Sequence, residues 1–217
     1  GRYDYPLPSG FRYINTVSQE THIDPSQYWG SEQYDADQVL FTTSATTKLS
    51  QGIKPSNDRW VKSERLYLRK VGTISTARTL TLTLESDSSG VPSGSAVATA
   101  ATVSTDNVYG YYDYIVFEYT APVFQEKDTQ YHITLGISGS ADPTNYIAWG
   151  KDDSTSYGSG SACKYSGSAW SVITDAALIF TQGNSTLTAH FEPLFPDEWE
   201  IVPSDKLLRL YGPTEGR

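Results

Sequence analysis

The chain has 217 residues, 38% hydrophobic and 19% charged, enough for one sizeable core beneath a surface that leans on uncharged polar side chains and Tyr. Sixteen basic against 25 acidic residues give a net charge of −9, which argues against nucleic acid or an anionic membrane as partner, since both ask for a basic face. No apolar run approaches the roughly 18 residues of a membrane span, so membrane insertion is not expected. The one cysteine, Cys163, can form no internal disulfide.

Residues 1–47 are polar, acidic and Tyr-rich, broken by Pro6, Pro8 and Pro25. They read as an N-terminal arm with little regular structure, apart from a turn at 35–37 leading into a short strand. From 48 to 181 the texture is strand and turn. Leu66 and Leu68 alternate with Arg65, Tyr67 and Arg69, and Leu80, Leu82 and Leu84 alternate with Thr79, Thr81 and Thr83. A period of two puts each leucine set on one face of a strand. Further strands are expected at 97–103, 111–119, 131–137, 146–150 and 177–180. On the fifth of these seven, Tyr131 and Ile133 point inward and His132 outward. Gly, Pro, Ser, Asn and Asp fill the gaps, and no amphipathic helix intervenes. The expected fold class is all-β, an antiparallel jelly-roll-like β-sandwich with extended flanks. The tail, 182–217, is broken by four prolines yet carries Phe191, Phe195 and Trp199. It is too apolar for a solvated linker and is expected to pack on its own domain or on a neighbour.

Several segments follow one another in a familiar order. They are Gln51-Gly-Ile-Lys-Pro55, Leu66-Tyr-Leu-Arg-Lys-Val-Gly72 and Leu82-Thr-Leu-Glu-Ser-Asp-Ser-Ser-Gly-Val-Pro-Ser-Gly94. Then come Phe117-Glu-Tyr-Thr-Ala-Pro122, Thr129-Gln-Tyr-His-Ile133, Asn145-Tyr-Ile-Ala-Trp-Gly150, Tyr157-Gly-Ser-Gly160, Ser168-Ala-Trp170 and 175–180. Over about 49–181 the set resembles the β-sandwich module called a choice-of-anchor domain, found in bacterial surface proteins and phage virion proteins. The resemblance implies a noncatalytic structural or adhesive module.

The residues offer little catalytic chemistry. Nucleophile-elbow, zinc-helix, phosphate-loop and paired-cysteine motifs do not occur, and His22, His132 and His190 are far apart. No enzyme activity and no cofactor are expected. Glu85 and Asp87 in Glu85-Ser-Asp-Ser-Ser-Gly90 resemble the start of a calcium loop, but the distal Glu is absent, and a polar hairpin turn is the preferred reading. Sixteen Tyr and five Trp are the more informative population. Tyr157, Tyr165 and Trp170, in Gly/Ser-rich loop sequence, are glycan-stacking candidates; capping the core is the rival role. Tyr112 and Tyr114, on a strand aromatic on both faces, join Phe191, Phe195 and Trp199 as assembly candidates. The expected function is a virion structural protein, as in a phage decoration, fibre or tail-associated module. Its partners would be copies of itself or other virion proteins, with host-surface glycans as a further contact. The alternative is a carbohydrate-binding module of a bacterial surface or secreted protein, at the cell surface or outside it.

Overall fold

A computed structural model of the chain describes residues 11–23, 34–40, 46–153 and 158–193, with the backbone alone at 11–23 and 184–193. The strands are β1 (Phe11–Ile23), β2 (Ala36–Leu40), β3 (Lys48–Ile53), β4 (Arg59–Val71), β5 (Thr79–Ser88), β6 (Val91–Thr99) and β7 (Val103–Ser104). They continue with β8 (Asp113–Gln125), β9 (Tyr131–Ile137), β10 (Tyr146–Asp152), β11 (Ala162–Tyr165), β12 (Trp170–Ile173), β13 (Ala177–Leu178) and β14 (Phe180–Pro193). The chain divides into two compact units, residues 1–20 with 186–217, and residues 21–185.

The protein is an all-β sandwich of two antiparallel sheets. The first sheet follows the order β1-β14-β4-β10-β13, with β2 also paired to β10 and β8 to β4. The second follows β12-β11-β3-β9-β5-β6, with β7 also paired to β5. The core lies where the inward faces meet. Leu80, Leu82 and Leu84 of β5, with Ile133 and Leu135 of β9, pool with Leu66 and Leu68 of β4, Phe117 of β8 and Trp149 of β10. Each fully buried leucine contributes about 2 kcal/mol by leaving water. Trp149 is fully buried, as its phase with Ile147 demands, and its indole N–H donates to the Ile179 carbonyl at 2.8 Å.

Alternation places most strands, and the departures have local causes. The stretch read as an arm contains β1 and β2; β2 forms a ladder with β10 from Ala36↔Lys151 to Leu40↔Ile147. β14 crosses the expected boundary at 182. β6 begins at Val91, six residues before the apolar pattern, because a two-residue turn at Ser89-Gly90, with φ of 57° and 87°, returns β5 at once. Positive φ at both centres suits the right-handed twist of a hairpin. β8 runs on to Gln125 past a bulge: Val61↔Val123 is followed by Ser63↔Glu118, which leaves 119–122 looped out. Lys62 closes that bulge by donating to the Tyr119 and Thr120 carbonyls, and Pro122 sits where no ladder N–H is needed.

One side-chain expectation holds in direction but not in exposure. With Tyr131 and Ile133 in the core, His132 points to the outer face of the second sheet, yet it is fully buried there. Its strand is covered on both sides, because bulges at Leu84/Glu85 and Glu85/Asp87 bend the β5–β6 hairpin over the outer face of the second sheet. The hairpin tip thus brings Asp87 Oδ1 to 2.8 Å from His132 Nε2, and the Gly90 carbonyl to 3.8 Å from Cys163 Sγ.

Candidate functional surfaces

The outer face of the first sheet carries an aromatic and cationic stripe. Leu66 and Leu68 point into the core, so Arg65, Tyr67 and Arg69 must point away from it. The β4–β8 register sets Trp60 opposite Phe124, Arg65 opposite Val116 and Tyr67 opposite Tyr114. The Trp60 and Phe124 rings lie 5.2 Å apart and the Tyr67 and Tyr114 rings 5.1 Å apart. Trp60, Val116 and Phe124 remain 42%, 41% and 43% exposed. Aromatic rings and Arg are enriched at the centres of protein interfaces, and here they stand in register on two paired strands.

One end of the stripe is a closed cluster. Tyr112 stacks on Tyr67 at 4.7 Å, and Tyr34 leans on Tyr112 at 4.8 Å. Gly150 of β10 makes room for them: a Cβ there would meet Tyr67 Cδ1 at 2.7 Å and Tyr112 and Tyr34 at 3.3 Å. Asp37 of β2 gathers the polar ends. It accepts from the Tyr34 and Tyr112 hydroxyls at 2.8 Å each and from the Arg69 guanidinium, which also lies 5.2 Å over the Tyr112 ring. Burial pushes the Asp37 carboxyl up, but the bonds from Arg69, Tyr34 and Tyr112 outweigh it and hold the carboxyl below its ordinary value. Burial, and then the Asp37 carboxylate, push the Tyr112 phenol far above its own. The cluster's polar ends converge on Asp37. It pins β2 to the sheet and fixes the rings that border the open stripe.

Of the assembly candidates, Tyr112 and Tyr114 thus belong to this face. Phe195 and Trp199 lie outside the described residues, and of Phe191 only the backbone is described. Trp60, Arg65, Tyr67, Val116 and Phe124 were not singled out from sequence. The alternation of Tyr67 with Leu66 and Leu68 was the available signal. The pairing of Trp60 with Phe124 spans a loop too long to read.

The glycan candidates divide in the same way. Tyr157 lies outside the described residues. Tyr165 and Trp170 occupy strands rather than loops: they face each other across the β11–β12 hairpin, with ring centroids 5.1 Å apart. Lys48 sits 5.7 Å over the Tyr165 ring. Both rings are partly exposed, at one edge of the second sheet. Such a pair offers two ring faces and a cationic donor, which suits the C–H face and hydroxyls of a sugar.

The weak calcium candidates are engaged internally. Glu85 accepts from the Thr83 hydroxyl at 3.0 Å and the Gly94 amide at 2.8 Å, and Asp87 accepts from the Gly90 amide at 3.0 Å and meets His132. No group of three or more ligating side chains is present among the described residues. Around Asp87 the polar groups are buried: burial lowers the His132 pKa against the pull of Asp87 and Glu85, and pushes the Cys163 thiol up to about 12. Among the described residues, no helix is long and apolar enough to cross a membrane.

No protein-family model and no curated protein matches the chain.

Proposed function

We propose that the chain is a noncatalytic structural module that works by protein–protein assembly, through the outer face of β4 and β8, in a particle such as a phage virion. The observation that carries this reading is the stripe Trp60/Phe124, Arg65/Val116 and Tyr67/Tyr114, whose exposed apolar members stand in register on two strands. A row of this kind gains free energy when a partner removes it from water. The virion setting is supported by the resemblance of 49–181 to choice-of-anchor modules. The partners are further copies of the chain or other virion proteins. Sedimentation of the wild type against Trp60→Ser/Phe124→Ser tests the assembly: the wild type associates with rising concentration and the double variant does not. Equal, monomeric behaviour of both, alone and with proteins of the source particle, would refute it.

A second reading rests on a separate observation, the Tyr165–Trp170 pair with Lys48 beside it. Here the module binds surface glycans at the β11–β12 edge, alone or in addition to assembly. A glycan array probed with the wild type and with Trp170→Ala decides it. Binding lost in the variant supports the reading, and a blank array removes it.

A further inference from the structure

Glu64 is a carboxyl inside the sandwich. It follows the β4 register shift at Val61/Ser63, which turns it inward beside Leu66, and it is fully buried. Gln182 of β14, directly opposite in the β4–β14 ladder, is also fully buried. Its Nε2 donates to Glu64 Oε1 at 2.7 Å, and the Tyr119 hydroxyl donates to the same oxygen at 3.2 Å. Two buried oxygens are then left without a donor among the described residues, Glu64 Oε2 and Gln182 Oε1. Both accept only, if Glu64 is ionised. They belong to the same two planar groups, already joined through their other atoms. A single proton on Glu64 Oε2 turns one orphan into a donor and gives the other its partner, which removes the cost of two buried, unsatisfied acceptors.

We infer that Glu64 keeps its proton in the folded sandwich and forms a doubly hydrogen-bonded acid–amide pair with Gln182, so that the β4–β14 ladder is a fastening that alkali loosens. The groups that bear on Glu64 are Gln182 from β14, Tyr119 from β8 and Arg59 from its own strand. Burial raises the carboxyl to about 8, against the hydrogen bonds from Gln182 and Tyr119 and the pull of Arg59. Arg59 is itself engaged by Gln125 Oε1, 3.1 Å from its Nε. The unfolded chain releases the Glu64 proton near the ordinary 4.5, and the folded chain holds it to about 8. The folded state therefore binds more protons between these values, and its advantage falls as pH rises through that window.

Carbon-13 labelling of glutamate with an NMR titration of the Glu64 carboxyl tests the protonation in the wild type. A midpoint near 8 is expected, and one in the ordinary carboxylate range would overturn the inference. Glu64→Gln tests the fastening, because its amide N–H replaces the acid O–H and keeps both bonds. Between pH 5 and 9 the urea midpoint of the wild type should fall relative to that of the variant. Amide exchange at Thr181–Gly183, compared at pH 9, should be at least tenfold faster in the wild type. Parallel midpoints with equal exchange would refute the fastening. So would a variant weakened equally at every pH, which would mark an ionised Glu64 as the counter-charge of Arg59. Should the variant fail to fold, the wild-type titration still decides.

Discussion

His132 Nε2 on β9 stands 2.8 Å from Asp87 Oδ1 on the β5–β6 hairpin, a bond that ties the hairpin tip to the outer face of the second sheet. The imidazole is fully buried, and its Nδ1 has no partner among the described residues. Burial lowers its pKa below 6.5, so below that pH the unfolded chain takes up a proton that the folded chain resists. Stability from this group is present above 6.5 and is lost as pH falls, by at most about 1.4 kcal/mol per pH unit. Glu64 has the opposite slope and partly cancels it in the wild type. The comparison must therefore be with His132→Gln. Urea unfolding from pH 7.5 to 5 should show the wild type losing ground to the variant, and equal slopes would contradict the assignment.

Cys163 lies beneath the same tip and reports whether it is closed. With its thiol pushed up to about 12, first by burial and then by Asp87, almost no thiolate exists at pH 8. A disulfide reagent should leave the native thiol untouched and react fully after unfolding. Asp87→Ala removes the tie to His132 and should speed native labelling at least about tenfold, a shift of roughly 1.4 kcal/mol in the opening equilibrium. Fast labelling of the native wild type would show that the tip does not cover the cysteine.

Asp37 binds three donors from three segments, the Tyr34 and Tyr112 hydroxyls and the Arg69 guanidinium. Asp37→Ala leaves those donors without their acceptor and should cost about 1–3 kcal/mol. Tyr112→Phe removes one bond and should cost about 1 kcal/mol. Hydrogen exchange should show the loss first at Ala36–Leu40, the strand that Asp37 pins to β10. Unchanged protection there would mean that the β2–β10 ladder holds without the cluster.

Gly72 and Gly94 both have positive φ, 72° and 79°, but they differ in space. A Cβ at Gly72 would lie 2.3 Å from the Thr144 carbonyl and 2.4 Å from Asn145 Oδ1, whereas at Gly94 nothing lies within 4 Å. Asn145 cannot simply swing away, since its Oδ1 accepts from the Thr73 amide at 2.7 Å and its Nδ2 donates to Asp142 at 2.9 Å. Gly94→Ala should cost about 1 kcal/mol of backbone strain and Gly72→Ala at least about twice that. Thermal unfolding of the two variants, ranked side by side, checks the difference.

The all-β sandwich was legible because alternation is a local signal. Leu80, Leu82 and Leu84 disclose β5 without any knowledge of its neighbours, and 131–137 and 146–150 locate β9 and β10 almost to the residue. Burial from both sides was not legible. The cover over His132 comes from Asp87, brought there by bulges that leave no pattern in a single strand. Tyr165 and Trp170 were hidden as strands by their Gly/Ser-rich surroundings, and only their pairing reveals the hairpin. The outer stripe was half visible: Tyr112 and Tyr114 announce an aromatic face, but Trp60 and Phe124 meet only through a register that the bulge at 119–122 resets.

Hydroxyl-radical footprinting, read residue by residue in the native assembly and in the isolated chain, tests the assembly face most directly. The account predicts that Trp60, Val116 and Phe124, all open in the single chain, become protected in the assembly, while Val97 and Val172, exposed on the second sheet, stay labelled. Full labelling of Trp60, Val116 and Phe124 in the assembled state would contradict it.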